Sequence, residues 1–88
     1  MVRRRAVVKG RVQGVFFRDT CRRVALEHNV AGSAANLPDG TVEVILEGEP
    51  ANVEEVLEWC RSGPSYADVS SVEITEEDPQ GLEGFRIA

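Results

Sequence analysis

Gly10-Arg11-Val12-Gln13-Gly14-Val15-Phe16-Phe17-Arg18 is the stretch where one periodicity gives way to another. Before it, Ala6-Val7-Val8-Lys9 closes a strand-like run; after it, apolar residues recur at 17, 21, 24, 25 and 28, the spacing of one helix face. A strand, a glycine-bounded loop and a helix N-terminus follow one another. In that geometry successive backbone N–H groups share one concavity, and the positive end of the helix dipole faces it. Gly14 supplies backbone freedom in the loop. Arg18, in the first helical turn, reaches back with a two-pronged guanidinium that suits a phosphoryl group. The stretch is not a Walker loop, because three residues separate Gly10 from Gly14 and no Gly-Lys-Ser/Thr follows. It is not the dinucleotide fingerprint either, whose third glycine is missing. Geometry alone says that an oxyanion fits, and leaves open an ordinary strand–helix turn with an exposed arginine.

Outward from this stretch, residues 4–10 read as the first strand and Phe16 to His28 as the first helix, with Arg22, Arg23 and Glu27 on its solvent face. Asn29 stands where a left-handed residue closes the helix. A second strand spans Val30 to Asn36, followed by the turn Leu37-Pro38-Asp39-Gly40. The third, Thr41 to Glu47, alternates: Val42, Val44 and Leu46 face one side, Glu43 and Glu47 the other, with Ile45 interrupting the polar side. Gly48-Glu49-Pro50 opens a helix from about Ala51 to Arg61, whose core face is Val53, Val56, Leu57 and Cys60; Trp59 is expected half-buried beside it. Val69 to Glu76 is a fourth strand with Val72 and Ile74 inward, and Phe85-Arg86-Ile87 a short closing one. The order βαββαβ with a short terminal strand predicts an α+β, ferredoxin-like α/β sandwich: an antiparallel sheet with two helices on one face, in a single domain over residues 1–88.

The composition is that of a small globular domain, with 42% apolar residues and no run near the ~20 that a membrane span needs. Met1-Val2-Arg3-Arg4-Arg5 has a signal peptide's charges but no apolar stretch after them, so a cytoplasmic protein is expected. Cys21 and Cys60 are not in a Cys-x-x-Cys pair, and one histidine does not complete a zinc set with them. Both are expected as buried reduced thiols. Two antiparallel helices would bring them to the same end of the molecule, within reach of the ~5.5–6 Å between Cα atoms that a disulfide needs. His28 falls on the core-facing stripe and reads as structural. Net charge is −5, but residues 1–23 carry +7 and residues 24–88 carry −12. The positive charge is expected to collect around the loop and steer a small anion inward. Nucleic-acid binding is not expected, because the chain is acidic and the basic stretch lacks stacking aromatics beyond Phe16 and Phe17, which read as packing groups.

The loop resembles the signature of the acylphosphatase family over its whole length. The likeness continues through Ala25, Gly32, Asn36, Asp39-Gly40, Val42-Glu43, Gly48, Gly63-Pro64, Ala67, Val69 and Phe85/Ile87, about residues 6–87. The resemblance implies the ferredoxin-like fold and hydrolysis of the carboxyl–phosphate bond of acyl phosphates without metal or cofactor. Carried over by position, it puts the phosphate-binding arginine on Arg18 and the water-positioning asparagine on Asn36. The cradling backbone amides fall on Gln13, Gly14, Val15, Phe16, Phe17 and Arg18. Asp39 and Glu43 read as structural. The partner expected is a small acyl phosphate, with neither nucleic acid nor membrane, and the chain is expected to be a monomer. A non-catalytic phosphate-binding module on the same fold is the alternative. Ser33 and Ala35 are small where the family usually carries bulkier or more polar residues, and are expected to open the site or remove a substrate contact.

Overall fold

The computed structural model describes all 88 residues. They form β1 (Val2–Arg11), α1 (Phe17–Glu27), β2 (Ala31–Asn36), β3 (Val42–Gly48), α2 (Pro50–Cys60), β4 (Asp68–Glu77) and β5 (Phe85–Ile87). This is the order read from the sequence, with ends displaced by no more than two residues. The strands lie in one sheet, β4-β1-β3-β2-β5. β1 is antiparallel to β3 and β4, and β2 is antiparallel to β3, so β1 and β2 run the same way on either side of β3. Two crossovers, each through a helix, are what such an order requires. The expected wholly antiparallel sheet needs one correction: β5 pairs in parallel with β2. After β4 the chain crosses to the opposite edge of the sheet instead of turning back as a hairpin.

Pleating divides the sheet into two chemically different faces. Ala6, Val8, Ala34, Val42, Val44 and Leu46 point to the helices and are fully buried. Phe17, Cys21, Val24 and Ala25 from α1, and Val53, Val56, Leu57 and Cys60 from α2, complete the core. Those are the helical stripes read from spacing alone. Asn29 takes the left-handed conformation expected of it, φ 57°. His28, half-buried, donates Nδ1–H to the Val24 carbonyl at 2.8 Å, in keeping with a structural part. Ile74 departs from expectation. It shares a face with Val72 yet is 36% exposed, because β4 is an edge strand and the helices lie over the strands farther in. The two thiols are free and buried. A hydrogen bond with Cys60, and then burial, push the Cys21 thiol well above its ordinary value.

The open face carries charge. Arg3 binds Glu47 at 2.6 Å and Glu77 at 2.8 Å, Arg5 binds Glu43 at 2.7 Å, and Lys9 binds Glu73 at 2.9 Å. Glu47 lies fully inside this lattice. Besides Arg3 it accepts the N–H groups of Gln80, Gly81 and Leu82, which ties the β4–β5 connection back across the sheet. Arg4 pairs with Glu76 on the sheet's other side. Four of the eight cations expected to collect around the loop are therefore spent on these pairs. Strand alternation carries Arg3, Arg5 and Lys9 to the face away from the helices, opposite acidic partners on β3 and β4.

Candidate active site

β1 bulges between Lys9 and Gly10 and stays paired with β4 as far as Arg11, where the loop leaves the sheet. Gly10 sits at φ 124°, and a Cβ there would lie 2.2 Å from the Asp68 carbonyl oxygen, so two backbones meet where only glycine fits. Val12 and Val15 then turn into the core, while Gly14 and Phe16 turn out. Gly14 at φ 74° and Phe16 at φ 65° are left-handed, and Phe16 is the N-cap of α1. Inward-turned Val12 and Val15 alternate with the left-handed residues, and Gly14, Phe16, Phe17 and Arg18 line one cleft. The N–H groups of Gln13, Gly14, Val15 and Phe16 meet no backbone acceptor. Those of Phe17 and Arg18 lie in the first helical turn, which has no intrahelical acceptor for them. These N–H groups are thus left without a backbone acceptor at the positive end of α1.

A cleft of about 340 Å³ opens here, lined by Val12, Gly14, Phe16, Phe17, Arg18, Asp19, Asn36 and Ile87. Arg18 and Asn36, eighteen positions apart, share it. Both also converge on one atom that the sequence did not point to. The Arg18 guanidinium donates to the Ala88 main-chain oxygen at 2.8 Å, and the Asn36 N–H donates to it at 3.4 Å. Ala88 N–H in turn donates to Ala34 at 3.0 Å, so the end of β5 holds the arginine beside the asparagine. The Asn36 side-chain Oδ1 is buried without a partner in the protein. An amide atom left unpaired costs about 1–3 kcal/mol, and such groups call for a functional reason.

Gln13 was read for its backbone amide, but its side chain does more. Its single Nε2 donates to Leu37 O at 2.8 Å and to Thr41 O at 2.9 Å, bracing the loop against the β2–β3 turn immediately after Asn36. That turn is closed by Asp39, whose Oδ1 accepts both the hydroxyl and the N–H of Thr41. These bonds hold the Asp39 carboxyl below its ordinary value. Asp39 and Glu43, the latter paired with Arg5, thus occupy structural positions. Asp19, exposed in the first turn of α1, adds an acid to the cleft wall that the sequence reading passed over.

Two expectations fail. Ser33 and Ala35 do not line the cleft: they pair with Ile45 and Glu43, on the open face, whereas Gly32, Ala34 and Asn36 face the helices. Phe17 is a packing group at 2% exposed, but Phe16 is 71% exposed. Elsewhere, a larger and more open depression of about 550 Å³ lies along the solvent face of α1 and holds neither Arg18 nor Asn36. No three His, Cys, Asp or Glu side chains are grouped so as to hold a metal ion.

Fold and cleft together define a small ferredoxin-like sandwich whose loop between β1 and α1 is built to hold an oxyanion. The acylphosphatase family model matches residues 4–87. The chain is 48% identical to an acylphosphatase of Thermococcus kodakarensis over 86 residues, 98% of this chain and 94% of that one. Among solved structures, an acylphosphatase from Bacillus subtilis superposes with a TM-score of 0.96 at 32% identity, covering 100% of this chain and 99% of the other. A domain making up 12% of Thermococcus kodakarensis HypF superposes at 0.83 with 36% identity over 99% of this chain. The chain belongs to the acylphosphatase family, whose members hydrolyse acyl phosphates.

Proposed function

We propose that this chain cleaves acyl phosphates with the amides of residues 13–18 and Arg18 as the phosphate cradle and Asn36 as the group that orients the attacking water. An acyl phosphate is a mixed anhydride whose leaving group is a carboxylate, with a pKa near ~4. It departs unprotonated, so the reaction needs no general acid. Water forms a new P–O bond as the bond from phosphorus to the acyl oxygen breaks. The water's proton passes to a phosphate oxygen, giving carboxylate and inorganic phosphate. Transition-state charge lies on the equatorial oxygens, where fixed N–H donors and a guanidinium stabilise it. The observation that carries the reading is the cleft shared by Arg18 and Asn36, whose buried Oδ1 has no partner in the protein. A module that only binds phosphate has no use for that amide.

The test is hydrolysis of acetyl phosphate in the presence of a chelator. The wild type turns over. Arg18→Ala loses about 10²–10³-fold in kcat/KM together with inhibition by inorganic phosphate. Asn36→Ala loses a similar factor in kcat and keeps phosphate inhibition. A folded Asn36→Ala protein with near-wild-type kcat would reject the asparagine's role.

The same reading takes the working form to be a cytoplasmic monomer with neither nucleic acid nor membrane as partner. Pairing of Arg3, Arg4, Arg5 and Lys9 with acids supports the absence of a polyanion partner, since it engages four of the eight cations of residues 1–23 within the fold. No helix is long and apolar enough to cross a membrane. Light scattering giving the chain mass of 9.6 kDa would check the monomer.

A further inference from the structure

Three of the chain's five aromatic side chains are packed. Phe17 is buried against Trp59 with ring centroids 5.1 Å apart, and Phe85 lies on the edge of the core. The two that remain in water are neighbours. Phe16 is 71% and Tyr66 is 67% exposed, with their rings edge-to-face and centroids 6.4 Å apart. They come from distant parts of the chain, Phe16 from the cradle and Tyr66 from the connection between α2 and β4. Neither burial nor backbone conformation favours phenylalanine at position 16. Its φ of 65° belongs to the region where glycine and asparagine are at ease and a bulky residue is strained. Yet its side chain lines the cleft that holds Arg18 and Asn36. Ile87, 37% exposed, is a second apolar side chain lining the same cleft.

A phosphoryl group bound to the amides of residues 13–18 brings its bridging oxygen within side-chain reach of Phe16, since Phe16 belongs to that loop. Whatever acyl group is bonded to that oxygen must leave the cradle along its rim. We propose that Phe16, backed by Tyr66, forms the acyl subsite and selects acyl phosphates bearing a flat apolar group, an aryl acyl phosphate in preference to acetyl phosphate. This rests on the catalytic reading above. A ring entering between Phe16 and Ile87 gains the offset or edge-to-face contact that Phe16 now makes only with Tyr66. It also removes from water the largest apolar surface beside the cleft.

The experiment compares kcat/KM for benzoyl phosphate and acetyl phosphate in the wild type, Phe16→Asn, Tyr66→Ser and Tyr66→Phe. Asparagine tolerates the left-handed backbone, so Phe16→Asn removes the ring without unwinding the cradle. Benzoate and acetate differ as leaving groups, so the readout is the change in the benzoyl-to-acetyl ratio between proteins. The ratio falls about five-fold or more in Phe16→Asn, mainly through KM for benzoyl phosphate. It falls by a smaller factor in Tyr66→Ser and is retained in Tyr66→Phe. A ratio unmoved in both Phe16→Asn and Tyr66→Ser overturns the aryl subsite and leaves the cradle standing. Failure of the folded wild type to hydrolyse either compound overturns both.

Discussion

At the scale of single residues, the site is a set of side chains whose bonds do not serve stability in proportion to their burial. Asn36 is the clearest. Its buried Oδ1 has no partner, so Asn36→Ala removes an unpaired polar atom. Thermal melting of that variant should match or exceed the wild type while kcat collapses, and melting and turnover measured on one preparation would separate the two. Gln13 behaves differently. Both carbonyls it binds also accept a backbone N–H, Leu37 O from Gly40 and Thr41 O from Leu37. Gln13→Met should therefore cost only about 1 kcal/mol of stability. It frees the loop to shift against Asn36, however, and a shift of an ångström is enough to cost about tenfold or more in kcat. Gln13→Glu sets a carboxylate against two carbonyl oxygens and should lose more of both. Steady-state kinetics with inorganic phosphate as competitor tests the pair, because phosphate binding through the amides should persist in Gln13→Met.

At the scale of elements, what was legible followed periodicity, and what was not depended on contacts between segments far apart in sequence. The stripes 17-21-24-25 and 53-56-57-60 are local, and both helices appear with those faces buried. Asn29 as a left-handed cap was equally local. Ile74 was misread because alternation tells which face a residue takes, not whether anything covers that face. Ser33 and Ala35 were misread for the converse reason. Counting outward by two from Asn36 reaches Ala34 and Gly32, and the positions between them belong to the other face. The parallel β5, the Gln13 brace and the Ala88 oxygen left no local trace at all. Arg18 stood out locally, as a guanidinium in the first helical turn after the loop, and Asn36 through the family resemblance; only the fold shows them sharing a cleft. Gly10 is where one element's geometry rests on another's. A Cβ at that bulge meets the β4 backbone 2.2 Å away, so Gly10→Ala forces β1 and β4 apart. It should cost about 2 kcal/mol or more, a fall of roughly 10 °C in Tm for a domain of this size, measurable by calorimetry.

At the scale of the whole molecule, stability rests on an apolar core on one side of the sheet and a buried ionic clamp on the other. Glu47 is the centre of the clamp. Burial alone would raise its pKa, but the hydrogen bond from Arg3 and those from the N–H groups of Gln80, Leu82 and Gly81 outweigh it and hold the carboxyl below its ordinary value. A carboxyl whose folded-state pKa is depressed stabilises the fold fully above its unfolded value, about 4.3, and loses that contribution as pH falls through the folded one. Glu47→Gln leaves Arg3 short of one partner and should destabilise the protein by about 3 kcal/mol at neutral pH. The gap between variant and wild type should stay constant above about pH 5 and narrow below pH 4. Urea melts across that range measure it, and a gap that widens toward acid would contradict the sign. The exposed pairs Lys9–Glu73 and Arg23–Glu27 should contribute little, and less with added salt.

In β2 and β3, and in β1 ahead of its bulge, every residue that faces the helices has an even number and every residue of the charged face an odd one. Packing and chemistry are thus written in one set of alternate letters, and charge and solubility in the other. A substitution at an odd position acts on the open face and its ionic clamp without touching the cleft. Neither text survives a change of frame. Deleting one residue of β2 while the pairing ahead of the deletion is kept moves Asn36 into the register position of Ala35, opposite Glu43, and carries its side chain to the charged face, out of reach of Arg18. A change of frame in any of the three central strands therefore disturbs both faces at once, where a replacement disturbs one.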